Sequence, residues 1–192
     1  MTLATIWLWL PLLLCVGYFI VTYNRLIATR NACANARSSI DVNLKRRHQL
    51  IPNLVETVRG YAEHEQQALH IVTQARNSAI TQLGTAASAA AEEMVEQTLT
   101  HLVARVEAYP ELKASDIFSK LMRNLTEAEE QISASRRAFN GQVMRMNNLI
   151  QQFPTLIVAN VMQFTPLAPY VANATAHATP NVVLAAPANS DG

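Results

Sequence analysis

Glycine is scarce in this chain, with five in 192 residues, and aromatic side chains make up only 6% of it. No glycine-rich phosphate loop and no strand–Ser–helix nucleophile elbow is spelled anywhere. Excess charge is missing too. Fifteen Lys and Arg stand against 14 Asp and Glu, for a net charge of +1, which removes any global argument for nucleic acid or for an acidic substrate. Cysteine is nearly absent. Cys15 and Cys33 lie about five turns apart on one presumed helix, whereas a disulfide needs its Cα atoms within about 7 Å. A disulfide framework and a zinc site are both excluded. Two free thiols are expected, with Cys33 in a reducing compartment.

Metal chemistry of the helical-bundle kind fails on spacing. Such sites use Glu-x-x-His pairs, but the residues three before His48, His64, His70, His101 and His177 are Lys45, Tyr61, Gln67, Thr98 and Ala174. "HEQQA" at His64 opens like a zinc-protease motif but has Ala68 where the second histidine belongs. Neither an enzyme nor a cofactor is expected.

What is present is helix. From Leu3 to Tyr23, "LATIWLWLPLLLCVGYFIVTY" carries no charge. About 20 helical residues cover the ~30 Å hydrocarbon core of a bilayer. Trp7 and Trp9 toward one end, with Tyr18 and Tyr23 toward the other, suit the interfacial aromatic belts. Pro11 is tolerable in a membrane helix. A cleaved signal would put basic residues before the run, but Arg25, Arg30 and Arg37 follow it, and Leu14 rather than a small residue precedes Cys15. The positive-inside rule then places the short N-terminus outside and the body in the cytoplasm. A single-pass protein of the cell (inner) membrane is expected.

Beyond Tyr23 the apolar residues recur at helical spacing in three stretches. The first includes Leu26, Ile40, Leu44, Ile51, Leu54, Val55, Val58, Tyr61, Leu69, Val72, Ile80 and Leu83, and stops at Gly84. The second holds Met94, Leu99, Leu102, Val103 and Val106 and closes at Pro110, with "PELKAS" as a loop. The third starts at an N-cap, Ser115 or Asp116. It runs through Ile117, Leu121, Leu125, Ala128, Ile132, Phe139, Val143, Met146, Ile150 and Phe153 to Pro154. The expected architecture is all-α: a transmembrane anchor over 1–23, an elongated antiparallel bundle over 24–153, a short apolar segment over 154–171 packing on bundle or membrane, and a flexible tail over 172–192. Pro52, which lacks the N–H that would bond His48, either kinks one long helix or separates two. Comparable helix lengths favour separation and four helices.

Polar residues on or beside the apolar faces are the candidates for specificity. Asp41, Arg46, Arg47, Asn53, Glu56, Arg76, Glu129, Arg136 and Asn140 either fix which helices meet or face a partner.

Five stretches resemble the LemA family: "YNRLIATRN", "SSIDVNLKRRHQLIPNLVETVRGYAEHE", "TQARNSA", "AYPELKASDIFSKLMRNLTEAEEQISASRRAFNGQV" and "NNLIQQFP". The resemblance covers about Tyr23 to Tyr170. The matched positions are Asp41, Arg46, Arg47, Pro52, Asn53, Leu54, Arg76, Tyr109, Pro110, Leu112, Glu129, Ile132, Arg136, Arg137 and Asn140. It implies a short outer N-terminus, one membrane helix and a cytoplasmic four-helix bundle, hence a real break near Pro52. The family's molecular function is not established, and one branch belongs to magnetosome biogenesis in magnetic bacteria. The charge-free end after Arg145 departs from the family's pattern. The expected function is a membrane-anchored, non-enzymatic scaffold or adaptor, with a membrane-stress or lipid sensor as the alternative. Its expected partners are the lipid bilayer and an unidentified membrane or cytoplasmic protein, with self-association possible.

Overall fold

The computed structural model describes residues 2–85 and 87–170, with side chains from Trp9 onward except that of Glu63. The side chain of Trp7 and the tail expected over 172–192 lie outside the described residues. Among these, the chain is all helix and connection. It contains α1 (Thr2–Arg59), a 3-10 turn (Glu63–Glu65), α2 (Gln66–Gln82), α3 (Ser88–Val106), α4 (Pro110–Lys113), α5 (Asp116–Gln151) and α6 (Thr155–Val161).

The anchor and the first bundle helix are one element. At 1.5 Å per residue, the 58 residues of α1 extend about 87 Å. The break near Pro52 implied by the resemblance is not there: α1 passes through Pro52 and ends at Arg59. The reversal lies at Gly60–Glu65, where Ala62 N–H donates to the Val58 carbonyl. Two features offset the proline. The His48 carbonyl, robbed of its partner at residue 52, accepts from Arg76 Nε at 2.7 Å. The neighbours Ile51, Leu54, Val55 and Val58 are all buried. Each such burial is worth about 1.5–3 kcal/mol, against a cost of about 3 kcal/mol for an interior proline.

α1 packs along α5, and also on α2 and α6, while α3 packs chiefly on α2. The cross-helix bonds Asn43–Ser135 and Arg47–Glu129 set α1 antiparallel to α5. The short connection between α2 and α3, with Arg105 near the end of α3 bonded to Glu65 just before the start of α2, makes that pair antiparallel too. Four helices therefore alternate in direction, but α2 and α3 are about half as long as α5. They cover only the part of α1 farthest from its N-terminus. Small side chains, Ala75, Ala79 and Ala91, are buried on these two helices beside Leu69, Val72, Val95 and Leu102. Gly84 turns the chain between them at φ +83°, a conformation that costs a residue with a Cβ about 1–2 kcal/mol.

Several apolar positions differ from the periodic expectation. Ile117, Phe153, Met94, Tyr61 and Ile80 are exposed, and Phe118, Ala79 and Ala91 are buried instead. Close helix contact favours the small or adjacent side chain where a bulky one would hold the helices apart. Ser115 is the N-cap of α5, as expected, with extended backbone but no hydroxyl capping bond. "PELK" is a single helical turn rather than a loop, with Pro110 at its start, where its missing N–H costs nothing.

The buried side chains fall into two cores. The distal core joins Ile51, Leu54, Val58, Leu69, Val72, Val95, Leu102 and Leu125. The proximal core, nearer the N-terminal run, joins Leu26, Ile40, Leu44, Ile132, Phe139, Val143, Met146 and Val158. Between them runs a polar layer.

Candidate functional site

The polar layer is built from one turn of α1 and single residues of α3 and α5. Arg47, fully buried, reaches two carboxylates, those of Glu92 on α3 and Glu129 on α5. Glu92 is also fully buried, whereas the Glu129 side chain is 37% exposed. His48, the next residue on α1, places Nε2 3.2 Å from Glu92 Oε2. Burial pushes the Glu92 carboxyl up, but the hydrogen bond from His48 and the charge of Arg47 outweigh it and hold the group below the ordinary carboxylate range. Arg47 Nε finds no hydrogen-bond partner among the described residues.

The same α1 turn carries the proline-freed carbonyl of His48 that Arg76 caps. One short stretch, Arg47-His48, thus meets α2, α3 and α5 at a single level. Chemically, the layer ties α1 to α2, α3 and α5 through charged and hydrogen-bonded groups at one level. Apolar contacts are nondirectional, whereas a buried Arg left without its acids is costly.

A second polar assembly holds the end of the chain. After α6 the backbone is extended and runs back along α5. Asn140 accepts from Tyr170 N–H at 2.7 Å and donates to the Tyr170 carbonyl at 3.0 Å. Asn147 makes the same pair with Leu167, both at 2.9 Å. Seven helical residues rise about 10.5 Å, and three extended residues span about 10 Å, so the two asparagines match the strap's repeat. The Tyr170 ring lies 4.9 Å from the Arg136 guanidinium and 5.7 Å from that of Arg37.

The sequence-derived candidates separate accordingly. Arg47 and Glu129 come together in the charged layer, Arg76 caps the same turn of α1, and Arg136 and Asn140 meet in the strap clamp. Arg46 pairs with Glu127 at 3.2 Å on the surface. Glu56 is exposed and pairs with Arg59 one turn on. Asn53 is exposed and Asp41 half-buried, and neither joins the layer. Glu92 and His48 were missed as members of this layer. Glu92 had a readable signal, for it lies in steps of three and four with Val95, Leu99, Leu102 and Val106 on an otherwise apolar stripe. The pairing of His48 with it had none. No three His, Cys, Asp or Glu side chains among the described residues are grouped to hold a metal ion. Both thiols are free, Cys15 exposed and Cys33 buried, and burial pushes the Cys33 thiol up.

The sequence profile of the LemA family matches residues 36–183, a stretch that takes in the charged layer, the distal core, the strap and most of the proximal core. This chain belongs to the LemA family. Among its relatives, Protein LemA of Metamycoplasma hominis is 26% identical over 167 residues, covering 84% of this chain and 76% of that protein. Magnetosome protein MamQ of Magnetospirillum gryphiswaldense is 23% identical over 181 residues, covering 81% of this chain and 66% of MamQ. The LemA-family body follows an apolar run of α1 that is long and apolar enough to cross a membrane by length and composition. Trp9, Leu13, Leu14, Val16 and Val21 stand exposed along that run, and membrane association follows from so bare an apolar helix. Tyr18 and Tyr23, the expected interface aromatics, are exposed near its end together with Trp9 at the other.

Proposed function

We propose that this LemA-family protein is a membrane-anchored, non-enzymatic scaffold that presents a helical bundle to partner proteins on the cytoplasmic side. The observation that carries the reading is the continuity of α1. A single helix from Thr2 to Arg59 forms both the apolar run and the spine of the bundle. Such a joint holds the bundle at a fixed height, which suits presentation of a surface. Arg25, Arg30 and Arg37, all on the C-terminal side of the run, support the cytoplasmic placement of the bundle. A relative named as a magnetosome protein fits an organising role at a membrane.

Photo-crosslinking in living cells tests it, with the reactive side chain at the exposed positions Glu56 and Glu96. The expected result is a reproducible protein adduct that disappears when the surrounding surface is changed. Adducts with this chain alone, or with lipid alone, would overturn the scaffold reading.

A second reading, a sensor of membrane stress or lipid, is favoured by the same continuity. Motion of the span would reach the Arg47 layer without crossing a flexible joint. A cross-link between Asn43→Cys and Ser135→Cys, whose native side chains are 2.8 Å apart, separates the two. A scaffold keeps its partner when locked, and a sensor loses its response.

A further inference from the structure

One surface remains unused by either reading. At the corner where α5 meets α6, Phe153, Ile157, Val161 and Met162 are exposed, Phe153 at 81% and Val161 at 65%. No charged residue lies among them, and their exposed neighbours are Pro154, Asn160 and Gln163. Four large apolar side chains on one exposed corner are more than the scattered exposure of an ordinary surface.

The opposite face of α6 fixes its height along α1. Val158 and Ala159 share a core with Leu26, and Phe19 packs against that core. Just past α6, the Phe164 ring meets Tyr23 edge-on at 6.4 Å. α6 thus lies beside α1 between Phe19 and Leu26. The uncharged run of α1 ends at Tyr23, and Phe19 is about 6 Å inside that end. Interfacial helices bury their apolar face about 5–10 Å into the boundary between headgroups and acyl chains. The corner carrying α6 therefore spans the end of the run, from about 6 Å inside it at Phe19 to about 4.5 Å outside it at Leu26, the level of that boundary.

Charge points the same way. Every Asp and Glu of the chain except Asp191 falls between Asp41 and Glu130. The end of the bundle that carries α6 holds Arg25, Arg30 and Arg145, all exposed, and no carboxylate among the described residues. Basic groups within a Debye length of a bilayer are drawn to anionic lipid.

We infer that the α5–α6 corner is a second membrane contact, embedded in the leaflet from which α1 emerges. Phe153, Ile157, Val161 and Met162 enter the acyl boundary, and Arg25, Arg30 and Arg145 meet anionic headgroups. The occupant is lipid because the patch is continuous in height with the apolar run. The inference rests on α1 crossing the membrane. It adds that the bundle is held at two points and cannot swivel about the helix.

The test uses the full chain in vesicles of phosphatidylcholine with phosphatidylglycerol. Cys15→Ser and Cys33→Ala provide the background, with one spin label at a time at Val16→Cys, Ile157→Cys or Ile117→Cys. Ile117 is 66% exposed at the far end of the bundle. Relaxation by oxygen, which concentrates in lipid, is compared with relaxation by a water-soluble nickel chelate. The expected ratio of oxygen to chelate relaxation at Ile157→Cys is several-fold above that at Ile117→Cys, approaching that at Val16→Cys. It should fall when neutral lipid replaces the anionic component. A lipid-like Val16→Cys with a water-like Ile157→Cys would overturn the second contact and spare the span. A water-like Val16→Cys would overturn the span and the contact together. Protection at Ile157→Cys that vanishes with one chain per nanodisc would assign the corner to a second copy and overturn the proposal. A ratio indifferent to lipid charge would overturn the arginine contact.

Discussion

The two halves of the bundle are held together differently. The distal half is four helices around an apolar core, with short connections and mixed charge on the outside. The proximal half is two long helices, α1 and α5, closed by α6 and by an extended strap pinned through its backbone. Between them, Arg47 binds an acid from α3 and an acid from α5. Four helices can bury an apolar face among themselves, whereas two cannot, so the proximal half recruits a later part of the chain to cover its open side. The charged layer stands where one solution gives way to the other.

Breaking the boundary should cost most. Arg47→Met leaves Glu92 buried without its guanidinium partner, and removing one member of a buried pair typically costs about 3–5 kcal/mol. Thermal unfolding of the detergent-solubilised chain should show that loss. The combined Arg47→Met and Glu92→Leu replacement should recover most of it, because an apolar layer of similar volume also packs. If the double variant is no more stable than the single one, the layer contributes more than charge compensation.

The strap comes next. Asn140→Ala with Asn147→Ala removes four hydrogen bonds, each worth roughly 0.5–1.5 kcal/mol net. Hydrogen exchange should quicken at Leu167 and Tyr170 and along proximal α5, and leave α2 and α3 unchanged. Equal loosening in both halves would show that they are one cooperative unit rather than two.

Arg76→Ala strips the His48 carbonyl of its replacement donor, and leaving a buried acceptor unpaired costs about 1–3 kcal/mol. Chemical denaturation should place the loss in the distal half. At Pro52→Ala the backbone N–H returns, so the penalty of Arg76→Ala should shrink in that background. At the α2–α3 turn, Gly84→Ala should cost about 1–2 kcal/mol, again confined to the distal half.

The smallest effect is one of pH. The Glu92 carboxyl is held below its ordinary range, so the folded chain prefers it ionised. Its contribution is complete above the ordinary carboxylate pKa and is lost as pH falls through the lower folded value. Glu92→Gln should be less stable than the parent at neutral pH, and the gap should narrow in acid. A gap independent of pH would remove the charge from the account.

Much of this was legible beforehand, for identifiable reasons. Leu26, Ile40, Leu44, Leu54, Ile132 and Val143 were expected on apolar stripes and are buried, because helix period is a local property that neighbours along the chain express. The uncharged run, the Ser115 cap and the end of α5 before Pro154 were readable on the same ground. The LemA-family resemblance could be seen in the sequence, yet the break it implied at Pro52 is absent. Whether a proline ends a helix depends on what surrounds it, here the burial of Ile51 and Leu54 and a donor from residue 76.

The sequence by itself determined the helices, the apolar run and the confinement of every acid but Asp191 to the middle of the chain, since each is written in composition and short-range spacing. Only the tertiary structure decided that Arg47 meets Glu92 and Glu129, that His48 leans on an acid 44 residues away, and that Asn140 and Asn147 clasp the returning backbone. Those pairings join residues separated by 20 to 82 positions. No local period encodes such a distance, and the pairs exist only because antiparallel packing brings distant turns to one height.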